Sequence, residues 1–201
     1  TFHIGGAASS SVEQSSAISP IDGEVKAENI KFIEDQSGNK IILNRNAKIK
    51  IFLENEEKFS LNIPFGSRIL FNNGDLVKVN QILADWDPYT LPIISEKEGY
   101  VKYVDLKQGV SFRDTVDDTT GISSKIVIDW SQNPKSKNFK PSINILDSLD
   151  ENIDNNADLL NYPMSIDTIL SAEDGAKVYA GQVLARIPKE SSKTKDITGG
   201  L

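Results

Sequence analysis

The stretch Gly74-Asp75-Leu76-Val77-Lys78-Val79-Asn80-Gln81-Ile82-Leu83-Ala84 returns later in the chain as Gly175-Ala176-Lys177-Val178-Tyr179-Ala180-Gly181-Gln182-Val183-Leu184-Ala185. One constant separation pairs Gly74 with Gly175, Val77 with Val178, Gln81 with Gln182 and Ala84 with Ala185. Ile63-Pro64-Phe65-Gly66 precedes the first copy and Tyr162-Pro163-Met164 precedes the second. From proline to glycine the second copy is two residues longer, which a turn can absorb. Because only two copies are present, the repeat predicts two related modules rather than a solenoid.

The sequence around the repeat is typical of short β-strands. Apolar and polar residues alternate in Lys48-Ile49-Lys50-Ile51 and again in Lys58–Ile63, as expected of strands with one face in water. Glu54-Asn55-Glu56-Glu57, between them, is predicted to be a charged hairpin loop. Periodicity of a helical kind is weak everywhere, and its best candidate is Ile145–Leu149. We therefore predict a mostly β fold of antiparallel sheets, in small barrels or sandwiches.

The kind of module is suggested by the spacing inside the repeat. A glycine, two residues, a valine, a small turn and a leucine-alanine pair resemble the pattern of barrel-sandwich hybrid modules. The resemblance implies two such modules in tandem, residues 18–92 and 93–193. Biotinyl and lipoyl carriers share this shape and present a modified lysine at a hairpin tip, usually beside methionine or aspartate. The lone methionine, Met164, follows Tyr162-Pro163 and has no lysine neighbour, so a carrier role is not expected.

Composition bounds the classes of function. The 201 residues include no cysteine, which excludes disulfides and thiolate metal sites and is consistent with a reducing cytoplasm. No run approaches the ~20 apolar residues of a membrane span, and no signal peptide is recognisable. The formal net charge is −7 and the pI is near 4.8, so the surface should be repelled by a bare phosphate backbone. Direct binding of nucleic acid by this chain is therefore not expected.

The two ends of the chain carry the clearest functional pattern. Thr1-Phe2-His3-Ile4-Gly5-Gly6-Ala7-Ala8-Ser9 stands at one end, and Asp196-Ile197-Thr198-Gly199-Gly200-Leu201 stands at the other. A diglycine step tolerates almost any pair of backbone dihedrals, so both stretches suit a segment that switches between coil and helix. The first closely resembles one half of the trigger loop in the catalytic β′ subunits of bacterial RNA polymerases, and the second resembles the start of the returning half. Three interior stretches resemble a domain that interrupts this loop in some lineages: Asn80–Pro92, Thr120–Asp129 and Leu184–Pro188.

The resemblance implies roles for residues at the ends. In these polymerases the trigger loop folds into a helical hairpin over the active site when the correct nucleoside triphosphate binds. His3 would be the catalytic residue, either as proton donor to the leaving pyrophosphate or as a positional and electrostatic contact, and these two roles stay open. Phe2 and Ile4 would contact the substrate. Bending would come from four hinge glycines: Gly5, Gly6, Gly199 and Gly200.

The resemblance also implies an organisation for the whole chain. Residues 1–9 would be the first part of the loop, 10–17 a serine-rich linker, 18–193 the inserted modules and 194–201 the returning part. The insert would modulate loop closure, nucleotide addition, pausing and transcript cleavage. Expected partners are the β, α, ω and σ subunits and the nucleoside triphosphate, with DNA and RNA reached only through the whole enzyme. We expect no cofactor in this segment, Mg²⁺ bound outside it, no membrane, a cytoplasmic location, and no activity for the isolated segment.

Competing interpretations are weaker. A free-standing β-rich interaction or adaptor module without catalytic activity is the main alternative, and a small hydrolase is a third. Nucleophilic catalysis is poorly supported, since cysteine is lacking and His3 is remote from any serine in a rigid turn. Asp150-Glu151-Asn152-Ile153-Asp154 matches the first ligand positions of a calcium loop, but Asn155 and Asn161 replace the required glycine and glutamate. An acidic surface loop is the prediction there.

Overall fold

The computed structural model describes residues 14–153 and 159–189. The described chain divides into two compact units. The first unit comprises residues 14–33 and 38–91, and the second comprises residues 34–37, 92–153 and 159–189. The division between them falls after Leu91, close to the predicted module boundary.

The first unit is built from nine short strands in two sheets. The strands are β1 (Ser16–Ile18), β2 (Gly23–Glu28), β3 (Phe32–Glu34), β4 (Lys40–Ile42), β5 (Ala47–Leu53), β6 (Glu56–Ile63), β7 (Arg68–Ile69), β8 (Leu76–Val77) and β9 (Ile82–Asp85). One sheet has the order β6-β5-β2-β8 and the other has the order β1-β9-β7-β4-β3. Because both sheets contribute buried residues to a single core cluster, the unit is a two-layer β structure.

Alternation along β5 shows how the sequence specifies this core. Ala47, Ile49 and Ile51 are buried, while the two lysines between them keep partial access to water. Leu83 of β9 is buried in the same cluster, from the other sheet. Each isoleucine or leucine buried in this way stabilises the unit by about 1.5–3 kcal/mol relative to an exposed side chain.

The hairpin between β5 and β6 is tighter than the sequence predicted. Only Glu54 and Asn55 form the loop, with φ of 53° and 66°, because Leu53 pairs directly with Glu56. Two consecutive positive φ values are the signature of a type I′ turn, whose twist matches that of the strands it joins. Glu56 and Glu57 therefore belong to β6, and the prediction of a four-residue charged loop was wrong.

The second unit repeats the two-sheet plan. Its strands are β10 (Thr90–Ile94), β11 (Gly99–Val104), β12 (Phe112–Val116), β13 (Ser123–Val127), β14 (Ser142–Leu146), β15 (Leu160–Pro163), β16 (Ile169–Leu170), β17 (Lys177–Val178) and β18 (Val183–Pro188), with a 3-10 helix at Trp130–Gln132. One sheet has the order β15-β14-β11-β17 and the other has the order β10-β18-β16-β13-β12. These orders correspond strand for strand to those of the first unit.

The best helical candidate of the sequence is a strand. Ser142–Leu146 forms β14, which pairs antiparallel with both β11 and β15. Ile143 and Ile145 are fully buried, and Asn144 between them is less so, which is the period of a strand. The prediction of a helix over Ile145–Leu149 was wrong. In so short an apolar run, the 3.6-residue period of a helix cannot be distinguished from the 2-residue period of a strand.

The mostly β class is confirmed, since the described residues contain four antiparallel sheets and almost no helix. None of these sheets closes into a barrel within the described part of the chain. The barrel-sandwich hybrid type and the exact module boundaries therefore remain predictions. β1 begins at Ser16, so the last two residues of the predicted linker already lie in a sheet.

The repeat extends further than the sequence indicated, but one of its pairings was wrong. The Ser67 N–H donates to the Pro64 carbonyl at 3.2 Å, and the Thr168 N–H donates to the Ser165 carbonyl at the same distance. Pro64 is therefore equivalent to Ser165 and not to Pro163. With this correction, both copies have equal length between this turn and their glycine. Both prolines precede the repeat in the sequence, but they do not occupy equivalent positions in the fold.

Candidate functional site

The residues predicted to act on substrate lie outside the described part of the chain. His3, Phe2 and Ile4 fall within residues 1–13, together with two of the hinge glycines, Gly5 and Gly6. The other two, Gly199 and Gly200, fall within residues 190–201. The roles assigned to these seven residues stay predictions. The described structure instead defines where the two predicted loop halves join the folded units.

The first junction is held by hydrogen bonds to β9 and to the residue after it. Ser16 pairs with Asp85, and the Trp86 N–H donates to the Ser15 carbonyl at 3.0 Å. Ala17 of β1 is buried in the core of the first unit. Ser16–Ile18 are therefore held in a sheet, and the Ser15 carbonyl extends this pairing by one hydrogen bond.

The second junction is a strand with neighbours on both sides. β18 lies between β10 and β16, and it ends at Pro188, close to the last described residue, Lys189. Leu184 and Ala185 of this strand are fully buried. Packed interiors deform little, so a displacement at either junction is transmitted to a whole sheet rather than absorbed locally.

A repeated turn precedes β9 and β18 and explains why the repeat keeps its glutamines. The Gln81 side-chain oxygen accepts a hydrogen bond from the Lys78 N–H at 3.0 Å, and Gln182 accepts from the Tyr179 N–H at 3.1 Å. The residue before each glutamine has a positive φ, 68° at Asn80 and 86° at Gly181. Asparagine and glycine are the residues that adopt this conformation at least cost.

Two buried serines, Ser19 and Ser95, hydrogen-bond to these turns and were not predicted from the sequence. Ser19 and Ser95 are fully buried, and their hydroxyls donate to the carbonyls of Ile21 at 2.6 Å and Lys97 at 2.7 Å. The Ser19 N–H donates to the Gln81 carbonyl, and the Ser95 N–H donates to the equivalent Gln182 carbonyl, both at 2.9 Å. The sequence did contain a signal for them. Ser19 precedes Gly23, the first residue of β2, by the same spacing at which Ser95 precedes Gly99, the first residue of β11.

Two tyrosines of the second unit, Tyr103 and Tyr162, have raised pKa values and act as structural hydrogen-bonding groups. Burial, with smaller contributions from Asp174 and Glu173, raises the pKa of Tyr103 to about 12. Its hydroxyl donates to the Ala172 carbonyl at 2.5 Å. Burial also raises the pKa of Tyr162, whose oxygen accepts from the Glu96 N–H at 2.9 Å. Phenols held protonated in this way are hydrogen-bonding groups at neutral pH, not general acids or bases.

The acidic segment that resembles a calcium loop organises itself as a turn. Asp150 Oδ1 accepts from both the backbone N–H and the side-chain amide of Asn152, each at 2.9 Å. Asn161 lies in β15 and donates to Asn144 Oδ1 at 2.6 Å. Asp154 and Asn155 lie outside the described residues. Among residues 14–153 and 159–189, no three His, Cys, Asp or Glu side chains are grouped so that they could hold a metal ion.

Within the same two ranges, no helix has the length and apolar character that crossing a membrane requires. No family model matches the chain.

Individual relatives are nevertheless clear. The chain is 43% identical to the DNA-directed RNA polymerase subunit beta′ of Ehrlichia chaffeensis (strain Arkansas), over 100% of this chain and 14% of that protein. It is 44% identical to the subunit of the same name from Ehrlichia ruminantium (strain Gardel) and 43% identical to that from Anaplasma marginale (strain Florida), with the same coverage. The chain thus spans about one-seventh of the length of these relatives. Over its whole length, the chain is therefore similar to one segment of the beta′ subunits of DNA-directed RNA polymerase.

Proposed function

We propose that this chain is the trigger-loop segment of an RNA polymerase β′ subunit, with the two β units inserted between the halves of the loop. One observation carries the proposal: residues that resemble the two loop halves stand at the two ends of a chain that matches β′ subunits throughout. A free-standing adaptor would not be expected to align end to end with 14% of a much longer protein.

In this proposal, the chemistry belongs to the first loop half. His3 acts on the phosphates of the bound nucleoside triphosphate, either by donating a proton to the leaving pyrophosphate or by stabilising its charge. Phe2 and Ile4 contact the substrate. Gly5, Gly6, Gly199 and Gly200 permit the change between open and closed loop. The catalytic Mg²⁺ is held by other parts of the polypeptide.

The two β units act as a load on the moving loop. The described chain enters at β1 and leaves just after β18, so few residues separate each predicted loop half from a sheet strand. Contacts made by the units with neighbouring polymerase surfaces therefore bias the loop toward its open or closed state. The consequence is control of pausing, transcript cleavage and elongation rate. Assembly is with the β, α, ω and σ subunits in the cytoplasm, and DNA and RNA are contacted through the whole enzyme.

The test is a deletion that joins Ser9 directly to Lys195 in full-length β′, assembled into polymerase. Nucleotide addition on a scaffold without pause sites should persist, whereas the duration of pauses and the rate of transcript cleavage should change. A matched His3→Ala variant should slow nucleotide addition itself by about tenfold or more, as expected when a positioned acid is removed. Unchanged pausing in the deletion, or undiminished addition in His3→Ala, would contradict the proposal.

A further inference from the structure

The first unit contains a cavity between residues of its two sheets. Its volume is about 440 Å³, within the range of pockets that hold small molecules. Five of its eight lining residues are apolar, namely Ala27, Ile30, Phe32, Ile69 and Phe71, and the other three are Asn29, Lys40 and Asn73. We call this space the Ala27 cavity.

The second unit shows what fills the equivalent space there. The Ala27 N–H donates to Asn73 Oδ1 at 2.6 Å, and the Tyr103 N–H donates to Asp174 Oδ1 at 2.9 Å, so Ala27 and Tyr103 occupy equivalent positions. The Tyr103 ring meets Phe112 edge-on, with centroids 5.8 Å apart and an angle of 84° between the planes. Its hydroxyl bonds the Ala172 carbonyl. An aromatic side chain is therefore built into this place in one of the two units.

The first unit has the partner for such a ring but not the ring. Phe32 is equivalent to Phe112, because the residue before each accepts a matching hydrogen bond, Lys31 from the Leu43 N–H and Ser111 from the Ile128 N–H. Phe112 is 6% exposed beneath Tyr103, whereas Phe32 is 44% exposed. Phe71, which replaces Ala172, occupies part of the volume, and the Ala27 cavity is what remains.

The charge at the cavity indicates the chemistry of its occupant. Lys40 is the one charged residue among those that line it, and no carboxylate of the described residues lines it. The Lys40 ammonium lies 5.2 Å from the centroid of the Phe32 ring and donates to Asn72 Oδ1 at 3.1 Å, so it is held at the rim. An aromatic side chain flanked by a carboxylate would bury its ring against Phe32 and pair its charge with Lys40.

We propose that the Ala27 cavity receives an aromatic side chain next to an acidic residue, supplied by the remainder of the β′ polypeptide. About six-sevenths of the length of the relatives lies outside the part that this chain matches, and that remainder is the source we infer for the side chain. The identity of the supplier rests on the proposed function. The binding of an aromatic side chain does not, because it follows from the geometry of the first unit alone.

The first test uses the 201-residue chain and two small probes, N-acetyl-L-tyrosine and its uncharged amide. Methyl NMR signals of Ala27, Ile30 and Ile69 should shift saturably, with a dissociation constant of about 1–10 mM for so small a ligand. The carboxylate form should bind about 1.5- to 5-fold more tightly, and Lys40→Gln should remove this difference.

Two variants remove the cavity by opposite routes. Ala27→Tyr supplies the missing ring in cis, and Phe32→Ala removes the wall on which the ring rests, so both should abolish the shifts. Leu76→Tyr, at a position that is 84% exposed and outside the cavity, is the matched control and should bind as the parent does. Absence of saturable shifts in the parent, or binding by Ala27→Tyr and Phe32→Ala equal to that of the parent, would overturn the proposal.

The second test identifies the supplier in assembled polymerase. The photo-crosslinker p-benzoylphenylalanine in place of Phe32 should form a crosslink within β′, at a segment that carries an aromatic and an acidic residue. A crosslink to another subunit, or none, would overturn the assignment of the occupant. The crosslink tests only the occupant of the Ala27 cavity, whereas the effect of the deletion on pausing tests the proposed function. Failure of one can therefore be distinguished from failure of the other.

Discussion

The two units share one backbone framework but fill it differently. In both, a buried serine turn leads into a glycine, and the next strand receives a hydrogen bond from the repeat: the Gly74 N–H donates to the Val25 carbonyl at 2.8 Å, and the Gly175 N–H donates to the Val101 carbonyl at 2.7 Å. The side chains placed on this framework are not equivalent. The comparison teaches that backbone geometry is constrained more tightly here than the distribution of volume in the core.

The clearest difference is an exchange of large and small residues. The first unit places a small Ala27 on β2 and a large Phe71 after β7, while the second places a large Tyr103 on β11 and a small Ala172 after β16. Phe71 and Ala172 are both buried. The exchange does not fill the two places equally, because the Ala27 cavity stays open beside Phe71.

The strongest test of the shared framework is to remove the same leucine from each unit. Leu83 and Leu184 are equivalent and fully buried. Leu83→Ala and Leu184→Ala should each lower the free energy of unfolding by about 2–5 kcal/mol, through lost burial and the cavity left behind.

Each unit supplies its own reporter for this measurement. Trp86 packs against the core of the first unit and Trp130 against the core of the second. Urea unfolding followed by fluorescence, with the other tryptophan replaced by phenylalanine, measures each unit separately. Leu83→Ala should shift the Trp86 transition and Leu184→Ala the Trp130 transition. Equal shifts of both transitions by either variant would show that the cores do not respond separately.

The opening glycines give a second, smaller test. A Cβ at Gly23 would lie 2.6 Å from the Phe52 carbonyl oxygen, and one at Gly99 would lie 2.6 Å from the Leu146 oxygen. Both obstacles are backbone atoms, so the neighbouring strand must move. We expect Gly23→Ala and Gly99→Ala each to cost about 1–3 kcal/mol.

Gly38 provides the control for these variants. It has a φ of 81°, and no atom lies within 4 Å of the position that a Cβ would take there. Gly38→Asn therefore places a residue that tolerates this conformation in open space. Its expected cost is about 0.5 kcal/mol or less, the usual range for a surface change. Urea midpoints of Gly23→Ala or Gly99→Ala that match that of Gly38→Asn would refute the steric explanation.

The smallest expected effect is that of Tyr103→Phe, which should change the stability of the second unit in a pH-dependent way and leave the first unit unchanged. Tyr103→Phe removes the hydrogen bond to the Ala172 carbonyl and should cost the second unit about 1 kcal/mol at neutral pH. Because the pKa of Tyr103 is raised to about 12 in the folded state from 10.0, folding disfavours the phenolate. The unfolded chain then binds fewer protons between these two values, so the contribution of Tyr103 to stability is complete below pH 10 and falls as the pH rises toward 12.

The measurement is the urea midpoint of the Trp130 transition as a function of pH. The difference between parent and Tyr103→Phe should narrow from about pH 10 to pH 12, a window set by the two pKa values of Tyr103. The first unit has Ala27 at this position, so its Trp86 transition should be the same in parent and variant throughout. A constant difference at Trp130 would mean that Tyr103 ionises as readily in the folded chain as in the unfolded chain.

Much of the fold was predictable because its signals are local. The alternation in β5 and the repeated Gly74 and Gly175 indicated strands and their duplication, and the structure contains both. Ile145 was assigned to a helix because five residues do not define a period, and only pairing with β11 and β15 decides that it is in a strand. The pairing of Pro64 with Pro163 depended on equal residue type alone. It was wrong, because the hydrogen bond accepted at each position shows that Pro64 is equivalent to Ser165.

The candidate functional residues also fall into those that the sequence indicates and those that only the structure shows. The interpretation of His3 and the diglycines depends on sequence alone, and it remains a prediction because those residues lie outside the described ranges. The Ala27 cavity has no sequence signature, since Ala27, Phe32 and Phe71 are not adjacent in the chain. Their proximity, and the ring that Tyr103 supplies to the equivalent place, became evident only from the structure.

The β class, the duplication and the similarity to β′ subunits could be inferred without a structure, because they depend on residue periodicity and residue identity along the chain. The equivalence of individual residues between the units, and the position of the Ala27 cavity, required the folded chain. Hydrogen-bond partners and core contacts join residues distant in sequence, so they are fixed by how the strands assemble and not by any single strand.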